Sequence, residues 1–328
     1  MSSEPLFTPP KPLETAVLFL VFNRLDTTKQ VFESIRNAQP PRIYIAADGA
    51  RENKKGEAER VQAVREYILE NIDWDCEIRT LFREKNLGCG PSLNQAISWF
   101  FSYEEYGIII EDDCFPVQSF YWFCEELLLK YLNDDRLGIV VGTNHVFEEF
   151  NLNTDYSYTK FKACWGWASW RRAWDNMDFE MKWRTLPQAV DVMRNMGPGR
   201  KTAKYYEEAL EYIDKKEVNT WDWHWFFSLS SQNQLCIFPK YNLVSNIGFG
   251  DDATHTFGVT PSRYLKVKDL KFPLKHPDLV LTNFRYDACY ERNVVKVKGF
   301  RKYIPKFFKD IIKLIRNIVV SCFVGNGK

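Results

Sequence analysis

The sequence lacks the marks of several protein classes. Its eight cysteines, at 76, 89, 114, 124, 164, 236, 289 and 322, include no Cys-x-x-Cys pair, so their spacing offers no zinc site. Thiols scattered through a chain of 328 residues fit a reducing compartment better than a disulfide scaffold. No Asn-x-Ser/Thr sequon occurs. No run approaches the ~18 apolar residues of a spanning helix. Met1–Leu13 is polar and proline-rich and lacks the apolar stretch of a secretion signal. Residues 1–14 are therefore expected to be disordered, and the protein to be cytoplasmic. Net charge is only +1, which gives no global field for nucleic acid.

What is present is a chain that is 45% hydrophobic and can bury a full core. Its first half alternates. Ala16–Phe22 is a continuous apolar run, hence a buried strand, and Asp26 is placed to cap the helix after it. Ile43–Ala47, Glu77–Phe82, Gly107–Ile110 and Leu137–Val141 read as further strands. Between them Glu57–Ile72, Ser92–Phe101 (with Pro91 as its first residue) and Ser119–Leu132 read as helices. Such alternation predicts an α/β fold, a mostly parallel sheet with helices on both faces. Ligands of such sheets bind beyond the carboxyl ends of the strands.

Those ends are polar. They carry Asn23-Arg24, Asp48-Gly49, Asn86-Leu87-Gly88 and Glu111-Asp112-Asp113. Three adjacent acids repel one another unless a cation joins them, and hard cations take carboxylate oxygens. A divalent ion there can hold a diphosphate; an acidic surface turn is the plain alternative. Gly88-Cys89-Gly90 before a helix is not a dinucleotide fingerprint, because the third glycine falls at Leu93 and this is not the first strand–helix turn. Its glycines can instead let the main chain approach a ligand, or simply shape a helix entry.

The second half differs. Eight of eleven tryptophans lie between Trp165 and Trp225. Aromatic faces pack on the C–H faces of sugars, although they also build ordinary cores. Asp222, between Trp221 and Trp223, is the candidate general base, since a carboxylate walled by indoles loses solvation. A helix-capping aspartate is the alternative reading, and Glu207, Glu208 and Glu217 are weaker rivals in charged, helix-like sequence. The loop Asn246–Thr256 holds Gly248, Gly250 and His255, one of four histidines. His255 is either a ligand of metal or pyrophosphate or a structural histidine.

The segments Phe22-Asn23-Arg24, Ala47-Asp48-Gly49 and Ile110-Glu111-Asp112-Asp113 resemble the donor-site series of GT-A glycosyltransferases. Glu-Asp-Asp is similar to the form taken by the Asp-x-Asp motif in N-acetylglucosaminyltransferase I and its relatives. Trp165-Gly166-Trp167-Ala168-Ser169-Trp170 and Trp221-Asp222-Trp223 also resemble that group, over roughly residues 15–260. Bacterial sugar transferases are similar too. The resemblance implies a GT-A (Rossmann-like) fold and a nucleoside-diphosphate-sugar donor. It implies Asp113 as ligand of Mn2+ or Mg2+, Asp112 at the ribose, Glu111 at the transferred sugar, and Asp48 and Arg24 near the base. It also implies His255 as a second ligand and Asp222 as base of an inverting transfer. Gly88 would border the donor, and Trp165, Trp167, Trp221 and Trp223 the acceptor. A turn residue at Asp48 and a surface ion pair at Arg24 are the alternatives.

A nucleotidyltransferase would need a glycine-rich basic loop after the first strand, where Phe22–Asp26 has no glycine. A glycan-binding module that has lost catalysis is another alternative. Residues 15–145 are assigned to the donor half and 146–295 to the acceptor half. Residues 296–316 carry a net charge of +7. Ile304, Phe307, Phe308, Ile311, Ile312, Ile315, Ile318 and Val319 share one helical face, opposite Lys306, Lys309, Asp310, Lys313 and Arg316. Residues 296–328 thus read as an amphipathic helix for an anionic membrane surface, where a glycan or lipid-linked acceptor is found. Packing of that helix on the acidic body is the alternative.

Overall fold

The computed structural model describes residues 7–216, 219–248 and 265–295. Three aliphatic strands form its centre: β1 (Val17–Val21), β2 (Arg42–Ala47) and, after the edge strand β3 (Glu77–Phe82), β4 (Tyr106–Glu111). All pair in parallel, with Leu20 set against Ala46 on one side and Glu111 on the other. Each connection is a helix: α1 (Leu25–Ala38), α2 (Glu57–Asn71) and α3 (Cys89–Tyr103). Val17, Phe19 and Val21 face Phe32 and Ile35 of α1 and Val64 and Ile68 of α2. Leu18 and Leu20 face Ile97 and Phe100 of α3 on the other side. Burial on both faces is why these strands read as unbroken apolar runs.

The chain continues through β5 (Cys114–Pro116), α4 (Ser119–Lys130), β6 (Leu137–Val141), β7 (Tyr156–Thr159), β8 (Trp167–Trp170) and α5 (Arg171–Trp174). Then come α6 (Ala189–Asn195), α7 (Arg200–Asp214), α8 (Asp222–Ser231), β9 (Leu235–Pro239), β10 (Val244–Asn246) and α9 (Phe284–Asn293). The main sheet has the order β3-β2-β1-β4-β8-β6-β9-β7, and β5 pairs with β10 separately. β8 runs antiparallel to both β4 and β6, so those two run the same way and end at the same edge of the sheet. The α/β expectation of a mostly parallel sheet with helices on both faces holds. Its unforeseen part is β8, a late tryptophan-rich segment inserted at the centre.

Several expectations are corrected. Residues 7–14 are not a disordered lead: Phe7 packs on Trp122 at 5.4 Å between ring centroids, Trp122 Nε1 donates to the Lys11 carbonyl at 2.7 Å, and Leu13 is buried. Asp26 does not cap α1; it lies inside the first turn, and Arg24 occupies the cap position. α3 starts at Cys89, so Pro91 is its third residue, still within the turn where a missing N–H costs nothing. Both His255 and the basic amphipathic tail, 296–328, lie outside the described residues. Among the described residues no helix is long and apolar enough to cross a membrane, and all seven cysteines are free.

Candidate active site

β1, β2 and β4 deliver their polar ends to one edge. Glu111 closes β4, and Asp112 and Asp113 form the turn into β5. The Phe22 amide donates to Asp112 Oδ2 at 3.2 Å, which ties the first strand's end to the acids. Arg24 reaches Asp113 Oδ2 at 3.5 Å. Antiparallel pairing of β5 with β10 brings Asn246 Nδ2 to Asp113 Oδ1 at 3.4 Å, and the Ile247 amide to the Asp113 carbonyl at 2.8 Å. A Cβ on Gly248 would overlap Asp113 Oδ2, so only glycine lets this segment lie against the carboxylate. Gly248 itself therefore lies beside Asp113.

The electrostatics are lopsided. Burial pushes Asp112 up to about 7, with the charge of Asp113 adding and Arg24 opposing. Burial also raises Asp113, again against Arg24. Glu111 is raised well above the usual carboxylate range by burial and then by the charges of Asp113, Asp222 and Asp112. The acids are crowded at low solvation with one guanidinium near them, a setting that a divalent cation relieves. Among the described residues no three acid, histidine or cysteine side chains converge as a ready metal cage. A magnesium-type ion needs none, since it takes one or two carboxylates and completes its shell with phosphate oxygens and water. Asp113, 24% exposed at its side chain, fits that part.

Asp48 is tied into the turn that follows β3. Its carboxylate accepts the amides of Gly49 at 2.9 Å, Leu87 at 3.0 Å and Gly88 at 3.0 Å, and Asn86 Nδ2 at 3.0 Å. With these bonds and only 8% of the residue exposed, Asp48 organises the 86–88 turn at the edge where the first two strands end. Gly49 is forced by the same crossing, since a Cβ there would meet the Glu84 carbonyl oxygen at 2.6 Å. A second scaffold went unnoticed in the sequence. Glu57 is fully buried at the start of α2 and accepts from Asn23 Nδ2 at 2.9 Å and from the Arg51 amide and Nε at 2.8 and 2.9 Å. The Arg51 guanidinium holds its carboxyl down at about 2. Its one legible sign was an acid opening a helix.

Gly88 makes a further close approach. The space its side chain would fill is taken by Asn219 Nδ2, while Asn219 Oδ1 accepts the Gly90 amide at 2.8 Å. These glycines seat the segment before α8. That seat sets Asp222, at the N-terminus of α8, opposite the acids of β4. Asp222 accepts from Thr220 Oγ1 and, at 3.9 Å, from Cys164 Sγ. Its nearness to Glu111 shows in the rise it imposes there.

The four tryptophans divide. Trp167 has no exposed surface and Trp221 is 2% exposed; their rings stack at 5.4 Å inside the core. Neither can border an acceptor, because both faces are covered by protein. Trp165 and Trp223 are half-buried beside Asp222's neighbours and retain accessible surface.

A profile of the family described as Glycosyl transferase family 2 matches residues 16–193, from β1 into α6. The chain belongs to that family. The GT-A fold and the assignment as a nucleotide-sugar glycosyltransferase stand on this match; the narrower kinship with N-acetylglucosaminyltransferase I is not part of what it shows. No curated protein matches the chain. Among solved structures this glycosyltransferase is similar to S. aureus TarS 1-349, at 10% identity and a TM-score of 0.34, over 48% of this chain and 47% of that one. It is also similar to HddC from Yersinia pseudotuberculosis, at 11% identity and a TM-score of 0.30, over 48% and 77%. The chain thus spans about half the length of the TarS chain. Likenesses this slight carry no argument about substrate.

Proposed function

We propose that this glycosyltransferase moves a sugar from a nucleoside-diphosphate donor to a hydroxyl of a glycan or lipid-linked acceptor, with inversion. The observation that carries the reading is the meeting of Asp222, from the second half, with the acids of β4. In one displacement, Asp222 takes the proton of the acceptor hydroxyl as its oxygen bonds to the anomeric carbon and the bond to the diphosphate breaks on the far side. Glu111 and Asp112 orient the sugar and ribose hydroxyls, and Arg24 steadies Asp113. Asp113, with His255, would hold Mn2+ or Mg2+. When bound, such an ion neutralises charge on the departing diphosphate. The tail, 296–328, is assigned to an anionic membrane surface by its sequence alone.

A panel of nucleoside diphosphates, with and without manganese, tests the reading by thermal denaturation. At least one of them should raise the midpoint through selective binding to the folded state, with a larger rise when manganese is present. Asp113→Asn should remove the manganese increment and leave the ligand-free midpoint in place. No stabilisation by any nucleotide would overturn the donor assignment, and an increment that survives Asp113→Asn would remove that residue from the metal. An inactive glycan-binding module would release no nucleotide from any nucleotide sugar.

A further inference from the structure

β6 ends at the edge where Glu111 lies, and the segment after it is fixed in place. Asn144 is fully buried; its amide donates to Asn242 Oδ1 at 3.1 Å and its Nδ2 to the Pro239 carbonyl at 2.8 Å, and its Oδ1 accepts from the Val146 amide at 3.1 Å. His145 stands between two such anchors, since Val146 is buried as well. Its ring sits edge-on to Trp165 at 5.4 Å and to Tyr290 at 5.9 Å between centroids. Tyr290, from α9, is backed by Phe161 stacked at 4.3 Å. Trp165 follows Cys164, whose thiol lies 3.9 Å from Asp222 Oδ2, so this wall begins next to a residue that contacts the candidate base. Tyr205 is raised by burial and then by the charge of Asp222, which places its phenol near the candidate base.

We propose that His145, Trp165 and Tyr290 form the acceptor subsite, and that His145 is its specificity-determining residue, hydrogen-bonding a hydroxyl of a pyranose ring packed against the aromatic wall. The inference rests on the transfer reaction proposed above. Burial holds the imidazole neutral, down at about 4. A neutral ring presents one N–H and one bare nitrogen, the same donor–acceptor pair that a sugar hydroxyl presents. The ring nitrogens have no hydrogen-bond partner among the described residues, and the residue is largely but not wholly buried. A wall of aromatic faces around an uncharged donor–acceptor selects a neutral sugar over a phosphorylated one, which would call for arginine or lysine.

The test uses the full chain and methyl glycosides of glucose, galactose, mannose and N-acetylglucosamine, in both anomers, as probes. With four histidines in the sequence, the His145 ring nitrogens are assigned by the signal that His145→Gln removes from a histidine 15N spectrum. At least one glycoside should shift that signal. His145→Phe, which keeps a flat ring and loses both polar atoms, should weaken binding of that glycoside about tenfold. His145→Gln, which retains a donor and an acceptor, should recover most of it. Nucleoside-diphosphate affinity should stay unchanged in both variants. The inference falls if no glycoside moves the His145 signal while a nucleotide binds, or if His145→Phe binds the glycoside as tightly as the parent. A parent protein that binds glycosides but no nucleotide would defeat the transfer reading and leave the subsite standing.

Discussion

β1, β2 and β4 align residue for residue, whereas β6 and β8 share only two paired positions and β6 meets β9 with a shift between Leu137 and Ile139. The β1–β2–β4 side, proposed above to take the donor, is held by main chain in register. The β6–β8–β9 side, proposed to take the acceptor, is held also by side chains reaching across gaps. Arg172 donates to the carbonyls of Tyr131, Leu132 and Leu137. Lys162 donates to Ser230, and Trp174 and Trp225 pack at 4.8 Å. Extra atoms should therefore be least tolerated on the donor side, and lost or recharged side chains most strongly felt on the acceptor side.

Changing one carboxylate probes this division most sharply. Asp222→Asn should lower turnover by ~10²–10⁴-fold, the usual worth of a positioned general base, and leave nucleoside-diphosphate affinity within error. Steady-state kinetics paired with nucleotide calorimetry read both quantities. A collapse of nucleotide affinity would mean that the halves do not divide donor from acceptor.

Gly49→Ala comes next. The added methyl would press on the main chain of Glu84 and Lys85, which cannot swing aside as a side chain can. A loss of about 1–3 kcal/mol is expected, the range for overpacking, read as a lower urea midpoint at unchanged slope. An equally stable variant would show that the donor edge is softer than its register suggests.

The smallest effect concerns pH and Lys162, which is 5% exposed with its Nζ 2.5 Å from Ser230 Oγ. Burial pushes its ammonium down to about 7 from the model-peptide value of 10.5. Above the folded-state value the unfolded chain binds more protons, so stability rises with pH until the unfolded lysine also titrates. The Lys162 contribution should grow by about 1 kcal/mol between roughly pH 7 and 8. Lys162→Met should remove that rise. Urea denaturation at several pH values measures it, and identical slopes in the two proteins would place the ammonium in water.

The same contrast sets what the sequence could tell. Leu137–Val141 matches β6 to the residue, because a strand buried on both faces leaves a continuous apolar run, and Glu77–Phe82 matches β3, an edge strand with no buried residue. The acid turn after β4 was visible as three like charges in a row. Asn219 was not, since its bond to Gly90 spans 129 residues and has no local period. Asp48 was noticed for the right reason, a polar residue at a strand end, and its task became clear only from the three amides and one side chain that surround it. Trp167 and Trp221 look like Trp165 and Trp223 in sequence; chain direction through β8 and α8 decides which of them face outward. His145 had no signal beyond the rarity of histidine.

Asn219, lodged where Gly88 and Gly90 have no side chains, makes the turn after β3 and the lead into α8 a single mechanical part. On the transfer reaction proposed above, a donor that tightens this turn would tighten the approach to Asp222 as well. Linkage then makes the effect mutual: by whatever factor a bound donor improves the hold on the acceptor, a seated acceptor improves the hold on the donor. Enlarging either glycine would uncouple the two substrates without touching an atom of either.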